Sequence, residues 1–130
     1  MVAHLPDDDT QPTILVVEDE TVVRMVTVAM LEDMGFRAEE AANANAAIAC
    51  LNPARGRPRA VLLDINVPGA QGRDMVSEIR AVWPDLPVVI ASGADPEELR
   101  LRFRGRQQID ILPKPYANAE LRDALGRLGL

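Results

Sequence analysis

Short apolar runs alternate along the chain with longer segments in which apolar residues recur at helical spacing. Four runs are near-continuous and of strand length, as is typical of strands that helices cover on both faces. They are TILVV at 13–17, AVLL at 60–63, PVVIA at 87–91 and IDIL at 109–112. RAEEA at 37–41 is a weaker candidate for an edge strand. The pattern therefore predicts about five strands.

Between these runs, apolar residues spaced three and four apart form a single stripe on each predicted helix. The clearest stripes contain Ala47, Ile48 and Leu51, then Met75, Val76, Ile79, Val82 and Trp83, and finally Leu121, Ala124, Leu125 and Leu128. A further helix from Thr21 to Met34 ends at Gly35. Strict alternation of about five strands with about five helices predicts an α/β fold, a doubly wound parallel sheet with helices on both faces.

The segment LRLRFRGRQQ at 99–108 does not fit the helical pattern. Its four arginines alternate with other residues at period two, so a helix would scatter them around its circumference. Gly105 lowers the helix propensity further. We predict a short, irregular or mobile fourth helix here.

Length and composition define the domain and exclude some classes of protein. The 130 residues, 48% of them hydrophobic, suffice for one domain with a core at 13–130 but not for two ordinary domains. Residues 1–12 are polar, acidic and interrupted by proline, which predicts a disordered acidic tail. A net charge of -6 argues against nucleic-acid binding. No apolar run reaches the ~20 residues of a membrane span, so we expect a cytoplasmic protein without a membrane partner.

Polar residues follow four of the predicted strands. Glu18 and Asp19 follow the first strand, Asp64 the third, Ser92 the fourth and Lys114 the fifth. Ligands of open α/β sheets bind outside the carboxyl ends of the strands, so these side chains should converge. A helix cap, a turn or a solvated loop explains each of them alone. Those ordinary roles do not explain why all of them stand at strand ends.

Such a cluster is suited to phosphoryl transfer. Close carboxylates repel one another, and a hard cation with oxygen ligands, Mg²⁺ in particular, relieves that repulsion. An aspartate beside the metal can act as the nucleophile and form an acyl phosphate. Lys114 and Ser92 could then contact the phosphoryl oxygens.

Four blocks, VVEDE, LLDINVPGAQG, VVIASG and LPKPY, resemble the signature blocks of the response-regulator receiver domain of two-component signalling. The resemblance covers about residues 13–129, with spacings of 45, 28 and 22 residues from Asp19 to Asp64 to Ser92 to Lys114. It implies a flavodoxin-like sheet with strand order 2-1-3-4-5 and five helices. It also implies a cis peptide bond between Lys114 and Pro115.

The resemblance implies a role for each residue of the cluster. Asp64 would be the phosphoacceptor, Ser92 the hydroxyl that turns toward the phosphoryl group, and Lys114 the lysine that pairs with the acids before phosphorylation. Glu18 and Asp19 would hold Mg²⁺ together with Asp64 and the backbone carbonyl of Asn66. Such a domain is not an enzyme for other substrates, because it catalyses only its own phosphorylation and dephosphorylation.

The partners implied are a histidine kinase or a histidine phosphotransfer protein. We expect a stand-alone receiver, since the sequence stops at Leu130, just after the fifth predicted helix. Receivers commonly carry an aromatic residue three positions before the lysine, and here that position holds Ile111. Without the aromatic relay, residues 95–108 and the last helix are the predicted surface for a downstream protein partner.

The residues argue against two alternative functions. Asp-nucleophile phosphatases of the haloacid-dehalogenase type need a second acid two residues after the nucleophile, where this chain has Asn66, which cannot shuttle a proton. A degenerate receiver that acts only as a binding module is disfavoured because the acids, the serine and the lysine are all present.

Overall fold

The computed structural model describes residues 11–130, in which five strands alternate with five α-helices. The elements are β1 (Thr13–Val17), α1 (Thr21–Asp33), β2 (Arg37–Ala41), α2 (Ala44–Cys50), β3 (Ala60–Asp64), α3 (Met75–Val82), β4 (Val88–Ser92), α4 (Pro96–Arg102), β5 (Ile109–Pro113) and α5 (Asn118–Arg127). A short 3₁₀ turn, Pro53–Arg55, lies between α2 and β3. The disorder predicted for residues 1–12 stays a prediction, because all but the last two of them lie outside the described residues.

All five strands are parallel and form one sheet in the order β2-β1-β3-β4-β5, which confirms the predicted fold. Successive residues of a strand point to opposite faces. In β1, Leu15 and Val17 pack into one apolar cluster with α2, α3 and α4, whereas Ile14 and Val16 pack into a second cluster with α1 and α5. Burial on both faces therefore explains the near-continuous apolar runs of the inner strands β1, β3 and β4.

Three strands, the inner β3 and β4 and the edge strand β5, end slightly further along the chain than predicted. β3 extends to Asp64, β4 to Ser92 and β5 to Pro113. Asp64 and Ser92 are therefore the last residues of buried strands, and the sheet itself fixes their backbone positions. The weaker β2 is an edge strand, as predicted, and only Ala41 at its end is buried.

The fourth helix is short, as predicted, with seven residues. The turn after it is attached to α3, which the sequence did not indicate. Phe103 is buried, and the Arg106 guanidinium donates to both carboxylate oxygens of Asp74 at 3.1 Å and to Ser77 Oγ at 2.8 Å. Across residues 11–130, no helix is long and apolar enough to cross a membrane.

Candidate functional site

Four elements bring the predicted residues to one edge of the sheet. Glu18 follows β1 directly, and its backbone N–H donates to the Ala41 carbonyl at the end of β2 at 2.9 Å. Asp64 ends β3 and Ser92 ends β4. Lys114 follows β5, and its backbone N–H donates to the Ser92 carbonyl at 2.9 Å. Backbone pairing of neighbouring strands thus determines where these side chains start.

The three carboxylates lie close together. Oxygen atoms of Glu18, Asp19 and Asp64 all fall within 4.8 Å of one another. Glu18 and Asp64 are buried, at 3% and 6% exposure, whereas Asp19 is exposed. Backbone N–H groups support the two buried acids, since Glu20 donates to Glu18 Oε2 at 3.1 Å and Asn66 donates to Asp64 Oδ1 at 2.9 Å. The result is an acidic cluster that opens to solvent on the side of Asp19.

The Lys114 ammonium compensates part of this negative charge. Its Nζ donates to Glu18 Oε1 at 2.6 Å and to Asp64 Oδ2 at 3.0 Å. Burial on its own would lower the pKa of Lys114, but the hydrogen bonds to Glu18 and Asp64 and the charges of both acids outweigh it and hold this pKa well above its usual value. The peptide bond between Lys114 and Pro115 is cis, as the resemblance implied.

Ser92 is fully buried beside this cluster. Its Oγ accepts a hydrogen bond from the Ala94 backbone N–H at 3.0 Å, so the hydroxyl is engaged with the turn that leads into α4. Ile111, where receivers commonly carry an aromatic residue, is 8% exposed and belongs to the apolar cluster under α4. This side chain therefore has a packing role.

Tyr116 connects the turn after Lys114 to α1. Its hydroxyl lies 2.6 Å from Thr27 Oγ1, and its ring packs against the apolar cluster beneath α1 and α5. Burial raises the pKa of Tyr116 above its usual value, although the hydrogen bond with Thr27 opposes this. Tyr116 therefore has a packing role, and its hydrogen bond with Thr27 adds a contact to α1.

Sequence reasoning did not single out the exposed apolar residues of α1. Val22, Met25 and Val26 are 72%, 63% and 48% exposed. Val22 and Val26 line a groove of about 430 Å³ between α1 and the turn that carries Lys114, Pro115 and Tyr116. The signal was present, because α1 has apolar residues at more positions than one buried stripe requires.

Sequence reasoning also missed Arg24, the one basic residue of α1. Its Nη1 donates to the Glu18 carbonyl at 2.7 Å and its Nε to Glu40 Oε1 at 3.0 Å. No sequence pattern announced these contacts, because they join residues on three different elements. Arg24 therefore touches the backbone of the acidic cluster without being part of it.

Residues 14–126 match the response regulator receiver domain family. The chain belongs to this family. Among curated relatives it is 33% identical to the probable transcriptional regulatory protein TcrX of Mycobacterium tuberculosis, a match that covers 94% of this chain and 53% of TcrX. It is 34% identical to the phosphate regulon transcriptional regulatory protein PhoB of Escherichia coli, with 83% of this chain and 47% of PhoB covered.

A solved receiver domain gives a similar result. The receiver domain of the sensor histidine kinase PA1611 from Pseudomonas aeruginosa is 30% identical, with a TM-score of 0.76 and coverage of 92% of this chain and 99% of that one. That structure has a magnesium ion coordinated in its active-site cleft. The chain spans about half the length of TcrX and PhoB, so the activities of those whole proteins are not transferred to it.

Membership in the receiver family assigns the chain to phosphoacceptor domains of two-component systems, which act with histidine kinases and bind Mg²⁺ at an acidic site. The comparisons therefore do not favour the phosphatase or the degenerate receiver. The individual site residues remain to be assigned from the geometry.

Proposed function

We propose that Asp64 accepts a phosphoryl group from a histidine kinase or a histidine phosphotransfer protein, in a Mg²⁺-dependent reaction that changes how the domain binds its partners. One observation supports this proposal above the others. The Lys114 ammonium bridges Glu18 and Asp64 at 2.6 and 3.0 Å, beside a third carboxylate at the mouth of the cluster. A buried aspartate that a lysine contacts, in a cluster that opens to solvent, is well suited to act as a nucleophile.

The donor set of the cluster suits Mg²⁺. The carboxylates of Glu18, Asp19 and Asp64 lie close enough together to share one ion. With the backbone carbonyl of Asn66, a ligand that the receiver resemblance implies, they would supply the hard oxygen ligands that Mg²⁺ prefers. When bound, Mg²⁺ neutralises negative charge on the phosphoryl group. No other group of three or more potential metal ligands of this kind occurs within residues 11–130.

Each residue of this chain then has a defined task. A carboxylate oxygen of Asp64 attacks phosphorus, the new O–P bond forms, and the N–P bond of the donor breaks with its imidazole as leaving group. The Lys114 ammonium and the Ser92 hydroxyl exchange their present partners for phosphoryl oxygens. In this proposal the chain catalyses only its own phosphorylation and dephosphorylation. A cytoplasmic location stays a prediction.

Two surfaces are proposed for partners. The exposed apolar face of α1, with Val22, Met25 and Val26, borders the turn that carries Lys114, and we assign it to the kinase or phosphotransfer protein. Residues 95–108 and α5 are assigned to a downstream protein partner. This second surface begins three residues after Ser92, so a movement of the Ser92 hydroxyl reaches it directly. Nucleic acid is not an expected partner of either surface.

Acetyl phosphate labelling tests the proposal without requiring the kinase. We expect the wild-type chain to acquire one phosphoryl group only when Mg²⁺ is present, and Asp64→Asn to acquire none. Asp19→Asn should need more Mg²⁺ for the same labelling rate. Asp123→Asn is the matched control, because this aspartate is exposed on α5 and away from the cluster. Labelling of Asp64→Asn at the wild-type rate would refute the assignment.

A further inference from the structure

The turn from β1 to α1 carries Glu18 and Asp19, but it is weakly anchored by its own side chains. Glu20 occupies the N-cap position of α1 and makes no side-chain cap hydrogen bond. The Glu20 backbone N–H donates instead to Glu18 Oε2 at 3.1 Å. That carboxylate belongs to the acidic cluster, so any cation bound there competes for the contact. The turn therefore needs a support from outside the cluster.

Arg24 supplies such a support. It lies one helical turn beyond the N-cap, and its Nη1 donates to the backbone carbonyl of Glu18 at 2.7 Å. Its Nε donates to Glu40 Oε1 at 3.0 Å on the edge strand β2. The Arg24 side chain is only 18% exposed, whereas that of Glu40 is 49% exposed. The guanidinium thus connects α1, β2 and the turn between β1 and α1.

The position of the accepting carbonyl gives this contact its importance. The carbonyl of Glu18 and the N–H of Asp19 belong to one planar peptide unit, so a hydrogen bond to the first fixes the orientation of the second. Asp19 is exposed, so packing does little to hold its carboxylate. The direction in which Asp19 leaves the backbone is therefore set largely by this peptide plane.

We propose that Arg24 is a positioning residue of the metal site, which holds the peptide between Glu18 and Asp19 so that the Asp19 carboxylate meets those of Glu18 and Asp64. The inference rests on the proposed Mg²⁺-dependent function. Two separate N–H groups of one planar guanidinium make the two contacts. The ammonium of a lysine cannot reproduce that fork, so arginine is required here for its shape as well as its charge.

Calorimetric titration with Mg²⁺ tests this role directly, without using phosphorylation. We expect Arg24→Ala to raise the Mg²⁺ dissociation constant about three- to tenfold, at or below the ~10–100-fold effect of removing hydrogen-bond partners that orient metal ligands. Arg24→Lys should show a smaller but measurable rise. The matched control is Arg55→Ala. It removes an arginine that pairs at 2.8 Å with Glu39, the neighbour of Glu40 on β2, and it should leave the Mg²⁺ dissociation constant unchanged.

Acetyl phosphate labelling adds a second measurement. In Arg24→Ala the Mg²⁺ concentration for half-maximal labelling should rise by the same factor as the dissociation constant. The rate at saturating Mg²⁺ should return to within about twofold of wild type, because Asp64 and Lys114 are untouched. A general loss of structure would lower that maximal rate instead, so the two measurements separate a positioning role from a purely structural one.

The outcomes separate this inference from the proposed function. If the wild-type chain fails to bind Mg²⁺, the proposed function itself is wrong. If the wild type binds and Arg24→Ala binds equally well, only the role of Arg24 is overturned. Should Arg24→Ala not fold, Arg24→Lys and Glu40→Ala decide the matter, since Glu40→Ala releases the guanidinium from β2. Unchanged Mg²⁺ affinity in both of these variants would also overturn the inference.

Discussion

Replacing Lys114 with methionine should destabilise the protein in the absence of Mg²⁺. The change keeps a long apolar stem but removes the ammonium that lies 2.6 Å from Glu18 and 3.0 Å from Asp64. Removing one partner of a fully buried ion pair costs about 3–5 kcal/mol, because the other charge stays buried without compensation. The side chain of Lys114 is 19% exposed and the cluster opens to solvent, so we expect a loss of about 2–3 kcal/mol in the free energy of unfolding.

Mg²⁺ should reverse part of this loss. The ammonium and the cation use the same two buried carboxylates, so the variant should bind Mg²⁺ more tightly than wild type. A neighbouring charge changes the proton affinity of a carboxylate about 10- to 1000-fold. Because Mg²⁺ is also a cation bound by these carboxylates, we expect its affinity to rise at least about tenfold in the variant. At saturating Mg²⁺, a tenfold difference in affinity narrows the stability gap by about 1.4 kcal/mol.

The pH dependence of the loss follows from the pKa of Lys114. This pKa is raised in the folded state, so the contribution of the lysine is fully present below its unfolded pKa of ~10.4 and is lost only as pH rises through the still higher folded value. Between about pH 6 and pH 9, the lysine stays protonated in both states. We therefore expect lysine titration to leave the difference in the free energy of unfolding between wild type and Lys114→Met unchanged in that range.

Urea unfolding followed by circular dichroism, at increasing Mg²⁺ concentrations, provides the assay. Arg122→Met is the matched control, because it removes an exposed cation of α5 away from the cluster. A Lys114→Met variant as stable as wild type without Mg²⁺ would contradict the proposed charge compensation. A stability gap that Mg²⁺ leaves unchanged would contradict the competition for Glu18 and Asp64.

Two further predictions concern the contacts of α1. Tyr116→Phe leaves the hydroxyl of the buried Thr27 without its partner at 2.6 Å. Thermal or urea unfolding should therefore show a loss of about 1 kcal/mol in the free energy of unfolding. An unchanged stability would mean that this hydrogen bond contributes nothing. Met25→Glu should reduce phosphotransfer from a histidine kinase about tenfold, while acetyl phosphate labelling stays as in wild type. The reason is that a charge in the centre of an apolar contact costs about 1.4 kcal/mol or more in binding free energy, which is a factor of ten in affinity. Leu101→Glu, at an exposed apolar residue of α4, is the control. Equal losses from both phosphodonors would argue against docking on α1.

The sequence predicted the parts of the site that depend on strand order and strand ends. Apolar runs of strand length are followed in the sequence by Glu18, Asp64, Ser92 and Lys114. Parallel pairing of the strands brings the ends of these runs together. The backbone register sets these positions before any side-chain rotamer matters. This explains why a pattern of apolar residues was sufficient to find them.

The contacts made by arginine side chains were not predictable in the same way. Arg24 reaches Glu40 across 16 residues and Arg106 reaches Asp74 across 32, and each pairing depends on how helices lie relative to neighbouring elements. The partner of a long flexible side chain depends on the distances between packed helices and strands, which the sequence pattern does not give. The period-two arginines correctly predicted a short α4, but not that Arg106 would attach the following turn to α3.

The charges along the edge strand β2 bear on how the protein behaves at high concentration. A bare sheet edge is a template for pairing with a strand of another chain, and charged side chains oppose such pairing. Glu39 and Glu40 are consecutive residues of β2 and point to opposite faces of the sheet. Glu39 pairs with Arg55 at 2.8 Å and Glu40 with Arg24 at 3.0 Å. A second chain adding there would have to displace or bury both pairs. We therefore expect Arg24, which we propose as a support of the acidic cluster, also to oppose strand pairing at the β2 edge.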